Sequence, residues 1–426
     1  MDAYKDFGVT RFKGTLNNGI NVSLFHRSGA PVTTYAILKS GARHDPESMP
    51  GLAHFLEHMI VNGSKEFPTK DLLAEHIESV GGGFQAKTGQ DPMWVITEVS
   101  DKSDYSRAVD IYRAMLCEPL MDRKVFENEK KVVIKEIQRN NSNPHSVLGK
   151  TIRQLFFLDT PFQHDVVGYE ESISGLDYDT ALVEYRKLFD KSRISFIVAG
   201  DISIEEVVDQ LNSLTFLSGN DFPENVNDFE ITNKEKVLAT FFDAPQTYIY
   251  LGVKAPDALS DDSYLLMLLG AILAGGRNSR LMKRLRYNKG LVYSVNANRT
   301  GGLFFGSWGI GADTTGDKTQ ELVNEIIEEL KDIQKNGIKE SELEFVKNRR
   351  LKSLKRSMQT SDSWADAHAL GEVFVAGAYD LNTFIKFIQG ATVDDIRRII
   401  DTYLAPEKWK LAFVGKNKQE EIKISW

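Results

Sequence analysis

One order of elements occurs twice along this chain, and that repetition limits the folds open to it more than any other feature. In the first half, alternating apolar and polar residues mark strands at Gly19–His26 and Thr33–Lys39. An apolar helix follows near residues 51–60, then a helix over Thr69–Val80, started by Pro68-Thr69 and stopped by Gly81-Gly82-Gly83. A long extended segment, Phe84–Ser100, leads to helices near Tyr105–Met115 and Asp122–Asn140, and a β-rich run returns at Arg193–Val198. The second half repeats this order with Tyr248–Lys254, Ser263–Ala274, Phe304–Ala312, Thr319–Asn336 and Glu340–Met358. At 426 residues the chain is too long for one ordinary core. The reading is α+β: two homologous domains, 1–217 and 235–426, joined by the polar linker 218–234, each a mostly antiparallel sheet covered by helices.

The two copies part company at their first helix. The early one carries His54-Phe55-Leu56-Glu57-His58. His54 and His58 are four residues apart, so on a helix their imidazoles project from one face and can grip one ion. Glu57 lies beside His58, within reach of a water on that ion. This H-x-x-E-H order inverts the H-E-x-x-H pattern of other zinc helices. Apolar Leu52, Phe55, Leu56, Met59 and Ile60 make the helix a buried one, and buried helices rarely hold two His and a Glu without partners. Laid over the second half, His54, Glu57 and His58 fall opposite Leu266, Leu269 and Gly270. The later copy keeps the packing face and lacks the chemistry.

A zinc site needs a third protein ligand. In Val125–Ile137, Glu129 and Glu136 are seven residues apart, two helical turns, and share a face. Val132 and Val133, on or next to that face, suggest that it points inward, which favours Glu136 as the ligand over a solvent-exposed pairing with nearby Lys residues.

Composition narrows the classes further. Apolar content of 42% and charged content of 26% describe a soluble globular chain. A net charge of −8 without a Lys/Arg tract argues against a nucleic-acid partner. The lone Cys117 excludes a disulfide within the chain and, among apolar neighbours, reads as a core filler. Tyr264–Ala274 is too short to span a bilayer, and the N-terminus has neither a signal core nor a transit pattern. The expectation is a cytoplasmic protein without a membrane partner, or a mitochondrial-matrix one if a targeting segment has been removed.

These motifs resemble the inverzincin metallopeptidases of the pitrilysin, insulin-degrading enzyme and mitochondrial processing peptidase family, short two-domain type. The resemblance rests on H-x-x-E-H and on E-x-E-x-x-V-x-x-x-E just under eighty residues later, and it spans essentially the whole chain. It implies one Zn2+ per chain on His54, His58 and Glu136, with Glu57 as catalytic base and Glu129 as a supporting carboxylate. It also maps a substrate-contacting pair onto Arg286 and Tyr293 in Arg286–Tyr293, and a peptide-docking edge strand onto Gly83, Phe84, Gln85 and Ala86 within Gly81–Thr88. Chemically, a guanidinium holds carbonyls and a phenol donates to an oxyanion. Many relatives have Asn where Gln85 stands here. Because this chain carries both the zinc motif and the Arg/Tyr pair, the resemblance implies a homodimer with sites completed in trans, each chain forming half of a clamshell. The function so implied is a zinc endopeptidase for peptides or unfolded segments. The alternatives are a non-catalytic or partner-dependent subunit of a heterodimer, against which the intact ligand set argues, and a zinc hydrolase for a non-peptide substrate. The remaining histidines, His26, His44, His76, His145, His164 and His368, lack ligand spacing and read as structural or surface residues.

Overall fold

The computed structural model describes residues 2–219, 232–374 and 380–426, so most of the expected linker lies outside the described residues. Strands β1 (Asp2–Tyr4), β2 (Val9–Thr15), β3 (Asn21–His26), β4 (Val32–Leu38), β5 (Gly83–Thr88), β6 (Met93–Val99) and β7 (Ile194–Gly200) form one sheet, ordered β1-β2-β3-β7-β4-β6-β5. Strands β8 (Val237–Phe241), β9 (Gln246–Lys254), β10 (Val295–Thr300), β11 (Ser307–Thr315) and β12 (Lys410–Gly415) form another, ordered β10-β11-β9-β12-β8. Read from the parallel pair outward, the shared cores are β3-β7-β4-β6-β5 and β8-β12-β9-β11-β10. In each, the first pair is parallel and the other three are antiparallel. The α+β class holds, and the repetition in the sequence is a repetition of strand order.

The extended segment expected over Phe84–Ser100 is instead a hairpin, β5 and β6, joined by Gly89-Gln90-Asp91-Pro92, where the Gly89 N–H donates to the Pro92 carbonyl at 2.8 Å. Gly, Asp and Pro are turn formers by different routes, and four polar or kinking residues break the ladder. Strand β10 has no counterpart in the sequence reading because Val295-Asn-Ala-Asn-Arg-Thr alternates over only its first four residues and two apolar side chains are a faint signal.

The compact units are not the two halves of the sequence. One consists of Met1–Ile137, Asp165–Asn225 and Ser353–Phe384; the other of Gln138–His164, Val226–Lys352 and Ile385–Trp426. The linear division at 217 and 235 therefore gives way to an exchange of helices. The reason is burial. All seven residues of β4 are buried, so both faces of the first sheet need cover. On one face Thr34 meets Tyr105 and Tyr112 of the first half. On the other lies the helix Ser361–Phe374, where the Tyr35 hydroxyl donates to Asp362 at 2.7 Å. Trp364 and His368 stack with ring planes 6° apart, His368 lies 4.2 Å from the Phe25 ring, and Glu372 forms a buried ion pair with Arg11 while accepting from Ser23 at 2.8 Å. The second sheet is covered by the helix Pro144–Phe157, whose Phe156 and Phe157 pack on Tyr250 and Phe305. Among the described residues no helix is long and apolar enough to cross a membrane.

Candidate metal centre

The motif helix spans Leu52–Ile60. It begins at Gly51, whose φ of +93° suits glycine, and a Cβ there would lie 2.6 Å from the Cα of Gly168. The Gly51 and Ala53 N–H groups donate to the Asp45 carboxyl at 2.7 and 2.8 Å, satisfying open donors at the helix start, while burial pushes that carboxyl up to about 8 against those hydrogen bonds. Leu52, Ala53, Phe55, Leu56, Met59 and Ile60 are buried, which fixes the rotation so that His54 and His58 share the remaining face, ring centroids 4.7 Å apart.

The third donor comes from the helix Arg123–Asn141. Phe126, Val133 and Ile137 form its buried stripe, and the Phe126 ring packs against Phe55 at 4.7 Å, tying this helix to the motif helix. Glu129 and Glu136 flank that stripe. The inward placement expected of Val132 is not found: it is 47% exposed. At about 100° per residue it lies roughly 40° beyond Glu136, away from the core, whereas Val133 is in the stripe.

His54, His58 and Glu136 each offer a ligand atom, all within 4.8 Å of one another. Nε2 of His54 and Nε2 of His58 lie 3.8 and 3.6 Å from Glu136 Oε2. These separations are too long for hydrogen bonds and match donors arranged around a common ion, since arms of about 2.1 Å in a tetrahedron put donors about 3.4 Å apart. The donor set therefore fits zinc. Glu129 Oε2 lies 3.1 Å from Nδ1 of His58, a contact that would hold the imidazole with Nε2 free to bind a metal. Burial and neighbouring His58 hold His54 down to about 4. Burial would also lower His58, but its contacts to Glu129 and Glu136 outweigh burial and raise it to about 9.

Glu57 points to the same region, and Thr88 at the end of β5 donates to its Oε2 at 2.6 Å. Burial raises the Glu57 carboxyl above its ordinary value, opposed by the Thr88 hydroxyl and by His58. Gly83, Phe84, Gln85 and Ala86 lie in β5, the outermost strand, and among the described residues no strand pairs with its free edge. Phe84 and Ala86 pack on the core whereas Gln85 is exposed, on the opposite face from Thr88. Arg286 and Tyr293 belong to the second unit and are brought together with one another: Arg286 Nη1 donates to the Tyr293 carbonyl at 2.8 Å, and its guanidinium sits 4.5 Å from the Tyr293 ring centre. Cys117 is half-buried, and burial pushes its thiol up to about 12, which suits a core filler. Asp45 and Thr88 are the site residues that the sequence reading missed. The available signal for Thr88 was its i, i+2, i+4 alignment with Phe84 and Ala86; Asp45 offered none beyond preceding the helix.

The repeated sheet order and the inverted histidine helix define a duplicated α+β protein with three side chains placed so that they could share a metal ion. The chain belongs to peptidase family M16: the insulinase (peptidase family M16) model matches residues 25–168, and the peptidase M16 inactive domain model matches residues 177–350. The uncharacterized zinc protease YmxG of Bacillus subtilis is 24% identical over 411 residues, covering 94% of this chain and 97% of that one. A protease from Helicobacter pylori superposes with a TM-score of 0.87 at 18% identity, covering 96% of this chain and 99% of that one. Pitrilysin superposes with a TM-score of 0.77 at 20% identity, covering 98% of this chain and 46% of that one. The family resemblance carried by the motifs holds, and the two structural likenesses extend to the fold.

Proposed function

We propose that this chain is a zinc-dependent endopeptidase acting on peptides or unfolded segments. The observation that carries the reading is the convergence of His54, His58 and Glu136 beside Glu57. When bound by those three residues, zinc supplies a Lewis acid that makes water nucleophilic near neutral pH. With Oε2 of Glu57 held by Thr88, Oε1 is the oxygen that takes the water's proton and returns it to the departing amine. The raised Glu57 carboxyl suits both halves of that transfer. The free edge of β5 offers backbone N–H and C=O groups to an extended peptide, which gives affinity with little dependence on side chains.

Tyr293 is 76% exposed, as a phenol reserved for another molecule would be. We read Arg286 and Tyr293 as completing the site of a second copy, in a homodimer that encloses its substrates. The reading further takes the protein to be cytoplasmic, without nucleic-acid or membrane partners.

The test is zinc content and cleavage of a quenched unstructured peptide library by the native chain and by Glu57→Gln. One zinc per chain in both, with cleavage lowered about 10²–10⁴-fold in the variant, is the expected result. Full zinc with no cleavage by the native chain moves the reading to a non-catalytic or partner-dependent subunit. Absence of zinc overturns the site. A solution mass of twice 48.0 kDa is expected for the homodimer.

A further inference from the structure

The strand that offers its edge to a peptide and the carboxylate beside the metal donors meet through one hydrogen bond, from Thr88 Oγ1 to Glu57 Oε2. Thr88 is the last residue of β5, on the same face as Phe84 and Ala86, and both of these pack on the core. The seating of the strand therefore aims the hydroxyl.

A frame outside the site holds both partners. The N–H groups of Gly41, Ala42 and Arg43 donate to the carbonyls of Asp91, Gly89 and Gln90 at 2.8, 2.9 and 3.0 Å, gripping the turn that follows Thr88. Arg43 Nε pairs with Asp91 at 3.0 Å, with both side chains buried. The approach demands glycine at 41, where a Cβ would lie 2.5 Å from the Gln90 carbonyl oxygen. The same segment runs on to Asp45, which caps the motif helix. Turn, segment and helix start thus form one continuous support that sets the strand end against Glu57.

We infer that Thr88 is a positioning residue: it holds Glu57 in the rotamer that leaves Oε1 to the water, and it links peptide pairing along β5 to the geometry of the base. The inference rests on the peptidase reading. A peptide that pairs with the free edge of β5 stiffens the strand, and with it the anchor on Glu57. A displacement of about 1 Å at such a group costs on the order of 10²-fold in rate.

Thr88→Val keeps the shape and removes the donor; Thr88→Ser keeps the donor. Expected for the valine variant are zinc content and thermal midpoint as in the native chain, KM within about twofold, and kcat lowered about 10–100-fold, with serine restoring most of it. The kcat advantage of peptides long enough to pair along β5 over di- and tripeptides should shrink in the valine variant. Crystal structures of the metal-free chains supply a readout independent of turnover: one Glu57 rotamer in the native and serine forms, several in the valine form. An unchanged kcat, a loss confined to KM, or a single Glu57 rotamer in the valine variant overturns the assignment. If the native chain cleaves no peptide, the peptidase reading fails by itself, and the Glu57 rotamer still decides whether Thr88 positions it.

Discussion

The two units share a five-strand core and use the helix that follows the second strand of its chain order in opposite ways. In the first unit, Leu52–Ile60 presents two imidazoles and meets β5 through the polar contact between Glu57 and Thr88. In the second, the helix Asp261–Ala274 is buried along most of its length and closes tightly on β10: at Gly270, opposite His58 in the sequence register, a Cβ would lie 2.7 Å from the Ala297 carbonyl oxygen. Among the described residues, His54, His58 and Glu136 are the one group of three metal-donor side chains close enough to share an ion. One scaffold thus yields either a set of candidate donors or a close approach of helix and strand backbone at Gly270, depending on whether the helix face carries imidazole or glycine. The exchanged helices differ as well, one anchored by a buried ion pair, the other by aromatic packing.

Substitutions can break or sharpen this contrast. The largest expected effect is at the ionic anchor. Glu372→Ala leaves Arg11 buried without its carboxylate and should cost about 3–5 kcal/mol in denaturant unfolding. A loss below about 1 kcal/mol would show that the stacked rings alone seat that helix.

Next comes the metal side. Glu129→Gln should weaken zinc binding about 10–100-fold, read by competition with a chelator, because the carboxylate on His58 Nδ1 is lost while all three donors remain. Unaltered affinity would remove Glu129 from the site.

On the closed side, Gly270→Ala should cost about 1–3 kcal/mol through the clash with β10, and an unchanged midpoint would mean that the seam can open.

The finest test is a slope. In the metal-free chain the His58 pKa is raised from 6.5 to about 9, so its stabilisation is complete below about pH 6.5 and lost as pH rises through 9. Zinc affinity runs the other way, rising over the same window as the imidazole gives up its proton. Melting the metal-free chain at pH 6 and pH 10 should show the loss, and Glu129→Gln should flatten it; equal stability at both would refute the His58–Glu129 contact.

Much of this was legible in local spacing. The i, i+4 histidines and the repeated order of strands and helices needed no tertiary knowledge. Glu136 was reached by helix-face reasoning together with the family resemblance, and the same face reasoning misplaced Val132, because the Glu129–Glu136 face borders the buried stripe and Val132 lies about 40° beyond it, roughly 100° from Val133. The hairpin turn at 89–92 hid inside a long extended segment. The helix exchange had no sequence signal: Ser361–Phe374 is apolar on one side, and nothing in that pattern names the sheet it will cover. Thr88 escaped because a single hydroxyl on a strand is common, and its partner lies 31 residues upstream.

The exchange of helices sets a schedule for synthesis. The first sheet is complete once β7 has left the ribosome, yet one of its faces stays bare until residues 361–374 follow. At about 5–20 residues per second that wait is on the order of 10–30 s, during which a sheet face carrying Phe25 and Tyr35 beside the Arg11 guanidinium is open to chaperones or to other nascent chains. His54, His58 and Glu136 are all translated before the wait begins, so the candidate donors can come together on a sheet that is still half uncovered.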